Sequence, residues 1–457
     1  SAALSFATAV TLTGNVVFST TNGAATFAEV VDGTADNDQN LTLNAGTGVV
    51  TFAKALGAVK KLGDVVANST GATKFQGAVL AKSLTTNAGG STELSADVTT
   101  TAAQSFGDAL SLKNNIILAG TDITLAQTVN SDGTARTLQV TGSGVTTFGG
   151  IVGGTAELAS LTVDGGGTTL LNAGTVTTAG AQSYTDAVTL GADTTLVTTN
   201  SSVGFTSTLN SSEALATAGT PAPATLSITA GTGDVTFGNI VGGATYTATN
   251  GALGAVTLVS ATNVGINAAF TAASLTQQAG SGTTTIGGAT TLTGALGFTG
   301  GNLVINAAVG AGGTVSFTGS ALTVNAAVTA GGAVTVANTG TFTTSATGDI
   351  NATGAFTQSG AGSNSLAGDV TSGGNIALAG ATVLTGDVAI VTANASGTID
   401  LSGVNSNGSG AAKNLLLKSP GALTIDAAIG NTQPLGTIWI EAAGVSQGVQ
   451  TAGTDGP

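Results

Sequence analysis

From Leu303 to Gly340 the chain states one hydrophobic pattern twice. Leu303-Val304-Ile305-Asn306-Ala307-Ala308-Val309, Gly312-Gly313 and Val315-Ser316-Phe317 come first. Nineteen residues on, Leu322-Thr323-Val324-Asn325-Ala326-Ala327-Val328, Gly331-Gly332 and Val334-Thr335-Val336 repeat the frame. The preceding segment, Thr284 to Asn302, keeps it with Ile286, Gly294, Leu296 and Phe298. Apolar residues alternate with small polar ones, the period of a strand with one buried face, and the Gly and Asn clusters between them are turn chemistry. One such unit cannot bury its apolar face, whereas a stack of units can. The pattern therefore predicts an all-β fold, a parallel β-solenoid whose coils take roughly 19–20 residues.

A longer repeat overlies the short one in the first 270 residues. Ser5-Phe6-Ala7-Thr8-Ala9-Val10-Thr11-Leu12 returns as Ser105-Phe106-Gly107-Asp108-Ala109-Leu110-Ser111-Leu112, and again as Ser183-Tyr184-Thr185-Asp186-Ala187-Val188-Thr189-Leu190. A second marker interleaves with it. Leu41-Thr42-Leu43 leads through Gly46-Thr47-Gly48 to Phe52, Leu138-Gln139-Val140 through Gly142-Ser143-Gly144 to Phe148, and Leu226-Ser227-Ile228 through Gly231-Thr232-Gly233 to Phe237. The spacings are 100 and 78 residues for one marker and 97 and 88 for the other. Unequal spacing predicts loops of variable length inserted at fixed corners of the coil, at Val31 to Asn40, Asn130 to Arg136 and Asn210 to Ala224. Pro221 and Pro223 in the third suit an outer loop. Phe6, Phe106 and Tyr184 hold one place in the repeat and are expected to form a core stack. Asn267, Asn306, Asn325 and Asp426 are expected at one corner, where Asn tolerates left-handed backbone and stacked amides hydrogen-bond along the ladder.

This organisation predicts one continuous solenoid over residues 1–443, with three long repeats in 5–270 and shorter regular coils in 271–443. Residues 444–457 are expected to be an irregular tail or a continuation. At ~4.8 Å per coil the chain makes about 20–23 coils, a rod on the order of 100 Å long. Its two open ends present unpaired backbone groups, so the rod is expected to continue covalently or to join other copies, end to end or laterally. The chain begins Ser1-Ala2-Ala3-Leu4 and has no Met, the mark of a processed form or of a piece of something longer.

Composition narrows the function. Charged residues are 7%, net charge is −14, and mean hydropathy is +0.40, so the chain has apolar material to bury. No Lys or Arg lies between Arg136 and Lys413, which argues against nucleic acid as a partner. No stretch has the apolar length of a membrane helix, and one Trp with two Tyr cannot furnish the aromatic girdles of a membrane barrel. With no Cys and no His, disulfides, thiolate metal sites and Ser-His or Cys-His nucleophiles are all excluded. The scattered carboxylates lack the cations or sugar-stacking aromatics of a glycosidic-bond-cleaving β-helix, so no catalytic residue and no cofactor is expected.

Asp32, Asp36 and Asp38 crowd one loop and form a candidate calcium site, although their spacing fits neither an EF-hand nor a repeat-type calcium motif, and a solvated acidic corner is the simpler reading. Lys54, Lys60, Lys61, Lys74 and Lys82 read as a solvated basic face. Trp439 is either a packing residue at a coil end or a partner contact. The Thr-rich tract at Thr99-Thr100-Thr101 brings ice binding to mind, but the repeats do not supply the same Thr pair at every coil. Asn-x-Ser/Thr acceptor sequences occur at Asn40, Asn68, Asn200, Asn210, Asn351 and Asn394, as this composition produces freely.

The Leu-x-Ile/Val-Asn-Ala-Ala-Val frame with its nineteen-residue coil resembles the repeat regions of filamentous-haemagglutinin-like exoproteins and related autotransporter passengers. That resemblance implies a right-handed parallel β-helix, exported by a bacterium and displayed or shed as a fibrous adhesin. The amino-terminal secretion-signalling domain of that family is not recognisable, and no family functional residue carries over. The expected role is an extracellular structural rod on the bacterial surface, an adhesin shaft or self-assembling filament subunit. The alternatives are a module that binds host glycans or proteins through its corner loops, and a polysaccharide-degrading β-helix enzyme.

Overall fold

The computed structural model describes residues 3–212, 223–243, 251–408 and 410–447. Strands are the only regular elements among them, and stacked parallel coils about 21 residues apart form a β-solenoid. Contacts divide the chain into two units, Ser1–Asn239 with Thr247–Gly251, and Ile240–Tyr246 with Ala252–Pro457.

In the first unit each coil contributes one strand to each of three parallel ladders. The first ladder begins Leu4–Phe6, Ala25–Phe27, Val50–Phe52 and Ala72–Phe75. The second begins Val10–Leu12 and Val31–Gly33, and the third Val16–Ser19, Leu41–Gly46 and Leu62–Ser69. Alternate side chains point inward, so each ladder builds columns of like residues one strand spacing apart. Phe6 stacks on Phe27 at 4.7 Å between ring centroids, Phe27 on Phe52 at 5.1 Å and Phe52 on Phe75 at 5.3 Å. Each ring pair adds about 0.5–1.5 kcal/mol to the stabilisation from burial. The core is thus a set of columns rather than a globular interior.

The second unit contains the stretch that repeats most plainly, and its register follows the nineteen-residue frame. Leu303-Val304-Ile305 lies on Leu322-Thr323-Val324, Val309 on Val328, and Val315-Ser316-Phe317 on Val334-Thr335-Val336. Leu303 and Ile305 are buried while Val304 between them is not, as the period-two pattern requires. Elsewhere the coil is longer than the expected 19–20 residues. Neighbouring coils are offset by 19 residues at Asn306 and Asn325, by 25 at Asn15 and Asn40, and by 32 at Asn200 and Thr232. Corner loops absorb the difference, which leaves the ladders parallel.

The register corrects the reading of the long repeat. Phe6 stands on the first ladder, Phe106 on the third beside Thr86 and Leu125, and Tyr184 on the second beside Val163 and Phe205. They are not one stack. The second marker moves in the same direction: Leu41 is on the third ladder, Leu138 on the second and Leu226 on the first. Each long repeat therefore falls one ladder short of a whole number of coils. The variable loops accordingly open at three different corners, after Val31–Gly33 on the second ladder, after Val129–Ser131 on the first, and after Leu209–Ser211 on the third. Pro221 lies outside the described residues, as does Glu213. The strand Ile438–Gln447 also runs on into the segment expected to be an irregular tail, and residues 448–457 are outside the description.

Candidate interaction surfaces

The corners show what the polar residues do. Again and again an Asn or Asp side chain at a corner accepts a hydrogen bond from a backbone N–H one coil further along. The Asn40 amide donates to Asn15 Oδ1 at 2.9 Å, and the Asp64 amide to Asn40 Oδ1 at 2.7 Å. In the second unit the Asp369 amide donates to Asp349 Oδ1 at 2.9 Å and the Ala389 amide to Asp369 Oδ1 at 2.7 Å. These bonds satisfy N–H groups that turn away from the ladders, where an unpaired donor costs free energy. The Gly-x-Gly of the second marker belongs to this device. Asn22 and Asn200 adopt left-handed backbone, φ 64° and 58°, and their Oδ1 atoms accept from Thr47 and Thr232. Gly48 passes so close above Gly23 that a Cβ there would lie 2.0 Å from the Gly23 carbonyl oxygen.

The four ladder residues named from the sequence divide. Asn267, Asn306 and Asn325 each follow a strand of one ladder, Val264–Ile266, Asn302–Ile305 and Leu322–Val324, and Asn325 Nδ2 donates to Asn306 Oδ1 at 2.8 Å. Asp426 follows Ile425 on the ladder that pairs with Ile399–Leu401, so it occupies another corner. None of the four has left-handed backbone; Asn22, Asn37 and Asn200 are the non-glycine residues that do, among those described.

The acidic loop is engaged with its own neighbours. Asp32 Oδ1 accepts from the Val59 amide at 2.8 Å, Asp36 Oδ1 from the Lys61 amide at 2.9 Å, and Asp38 Oδ2 from Gln39 Nε2 at 2.6 Å. The Lys61 amide, with Lys60 beside it, holds the Asp36 carboxyl below its ordinary range. Among the described residues no group of three or more acidic side chains is placed to hold a metal ion, so the candidate calcium site does not assemble. The basic face is paired in the same way, Lys60 with Asp36 at 3.4 Å, Lys74 with Glu93 at 3.5 Å and Lys82 with Asp64 at 3.5 Å. Exposed pairs of this kind contribute about 0–1 kcal/mol each.

Two buried polar clusters went unread in the sequence. Gln104 Nε2 donates to Val98 O, Thr100 Oγ1 and Ala119 O, and Gln182 Nε2 to the equivalent Val176 O, Thr178 Oγ1 and Val197 O. Tyr184 OH donates to Gln182 Oε1 at 3.1 Å, whereas Gln104 Oε1, with Phe106 in place of the tyrosine, is buried without a partner. Burial pushes the Tyr184 phenol upward, and likewise the carboxyls of Asp108 and Asp186, which accept from the Gly90 and Gly166 amides. The recurring Gln-Ser-Phe/Tyr was the available signal, because a Gln at an inward position must satisfy both ends of its amide.

The strand Ile438–Gln447 carries the densest exposed apolar group. It pairs with Leu415–Ile425 on one side, and among the described residues no strand pairs with the other. Ile438 is 41% exposed, Trp439 60%, Ile440 40% and Val445 58%, in a chain whose other inward columns are closed. Trp439 Nε1 donates to Glu441 Oε1 at 3.1 Å, and Glu441 Oε2 takes an ion pair from Lys418 at 2.8 Å. Together these bonds orient the indole along the strand, and the Lys418 partner lowers the Glu441 carboxyl. A second surface feature of this unit is a groove crossing successive coils, lined by Gln278, Gly280, Thr299, Thr318 and Thr339. Comparison with protein-family models, curated proteins and solved structures gives no match.

Proposed function

We propose that this chain is a structural β-solenoid of a bacterial surface, working as an adhesin shaft or filament subunit outside the cell, without a catalytic step of its own. The observation that carries the reading is the Ile438–Gln447 edge. A ladder edge with unpaired backbone groups and exposed Ile438, Trp439, Ile440 and Val445 is a surface that a further coil would cover, either of the same polypeptide or of another copy. Hydrogen-bonded parallel ladders in each unit supply the stiffness a shaft needs, and the corner Asx bridges add bonds from coil to coil.

Electron microscopy of the purified chain tests this reading. End-to-end rods or filaments are expected, shortened by Trp439→Glu, and monodisperse single particles across a concentration series would refute self-assembly. A second reading, glycan recognition, draws on the groove of hydroxyl and amide groups at Gln278, Thr299, Thr318 and Thr339. Retention on a glycan array, abolished by Thr318→Val, is its test.

A further inference from the structure

We propose that Asn394 is an attachment site for a covalently linked sugar, received from a glycosyl diphosphate donor. The loop Asn394-Ala395-Ser396 joins the strands Val388–Thr392 and Ile399–Leu401, and residues 393–396 are all exposed. Asn394 Oδ1 accepts from the Ser396 amide at 3.1 Å and from Ser396 Oγ at 3.3 Å, while the Gly397 amide donates to Asn394 O at 2.9 Å. A single tight turn thus presents both halves of an Asn-x-Ser acceptor to solvent, with the hydroxyl on the amide oxygen and the amide nitrogen facing outward without a protein partner.

The fold withholds the other acceptor sequences that lie wholly within the described residues. Asn40 Oδ1 holds the Asp64 amide, Asn68 Nδ2 donates to Asn44 Oδ1 at 2.8 Å, and Asn200 Oδ1 holds the Thr232 amide. Asn210 and Asn351 lie within strands paired to Val188–Leu190 and to strands on both sides, respectively. A transferase reaches those five only by tearing a ladder or a corner bridge, and the Asn394 turn needs no such opening. In the transfer, the Asn394 nitrogen forms a bond to the anomeric carbon as the bond from that carbon to the diphosphate breaks. The diphosphate leaves with the electron pair, and the amide gives up one proton to a base of the transferase.

Two arms identify the donor. The folded chain is incubated with a soluble Asn-glycosyltransferase and a uridine-diphosphate hexose, or with a membrane oligosaccharyltransferase and a polyprenyl-diphosphate glycan, and the glycopeptides are mapped by mass spectrometry. Labelling at Asn394 is expected to exceed that at Asn40, Asn68 and Asn351 by at least about tenfold, the factor that ladder opening imposes. Urea-unfolded chain is expected to lose this preference. Ser396→Ala removes the Asn394 label and Ser396→Thr keeps it, with unchanged far-UV circular dichroism in both. Absence of label at Asn394 in both arms, or equal labelling of Asn394 and the ladder positions in folded chain, overturns the proposal.

Discussion

Gln104 and Gln182 sit in matching environments that differ by one oxygen atom, which makes the pair an internal experiment. Each amide nitrogen donates three hydrogen bonds of comparable length, 2.8–3.3 Å around Gln104 and 2.9–3.3 Å around Gln182. Only Gln182 has its oxygen satisfied, by Tyr184 at 3.1 Å. A buried acceptor left unmade costs about 1–3 kcal/mol, and a neutral hydrogen bond contributes about 0.5–1.5 kcal/mol net. Tyr184→Phe is therefore expected to destabilise the first unit by about 1–2 kcal/mol, because it strands Gln182 Oε1. Phe106→Tyr is expected to stabilise it by about 0.5–1 kcal/mol, because a hydroxyl at the equivalent position reaches Gln104 Oε1. In a solenoid the effect stays in the neighbouring coils, so the assay is native-state amide exchange of peptides spanning residues 98–119 and 176–197. Exchange in the second peptide should quicken about fivefold or more in Tyr184→Phe, and that of the first should slow in Phe106→Tyr. In the Gln182→Met background, removal of the Tyr184 hydroxyl should cost within about 0.5 kcal/mol of nothing. If the hydroxyl costs as much there as in the wild type, the bond is not what stabilises the coil.

Other perturbations probe the corners and the buried acids. Gly48→Ala brings a methyl group against the Gly23 carbonyl and should cost about 1–3 kcal/mol, whereas Gly14→Ala, which meets nothing within 4 Å, should be near neutral; thermal melts of the two separate them. Burial raises the Asp186 carboxyl, so the folded state binds its proton more tightly than the unfolded chain does. The stability this group contributes is present below the ordinary carboxyl range and is lost as pH rises through the elevated folded value. Asp186→Asn, which keeps an oxygen for the Gly166 amide, should stabilise the chain at neutral pH and flatten its stability profile in mild acid. The same sign governs Tyr184: alkaline unfolding should begin as pH passes about 10, the ordinary phenol value, and Tyr184→Phe should delay its onset. Ile438→Lys with Ile440→Lys should abolish any concentration-dependent association in analytical ultracentrifugation while circular dichroism of the remaining coils is retained.

The sequence by itself determined that the chain is a stack of short parallel strands. Residues such as Leu303, Ile305, Leu322 and Val324 alternate with small polar neighbours, and a strand's side chains have a period of two whatever lies around them. Tertiary structure decided which columns those residues join. A coil with three similar sides accepts the Ser-Phe/Tyr and Gly-x-Gly markers on any side, so a repeat of 100 or 78 residues fixes no ladder, and Phe6, Phe106 and Tyr184 parted. Corner chemistry was equally hidden. The partner of Asn15, Asn40 or Asp349 lies one coil away, at a distance along the chain set by whatever loop intervenes. Asp32, Asp36 and Asp38 looked like a cluster because they are neighbours in sequence, yet the next coil offers two of them backbone amides, and those nearby donors claim the carboxylates first.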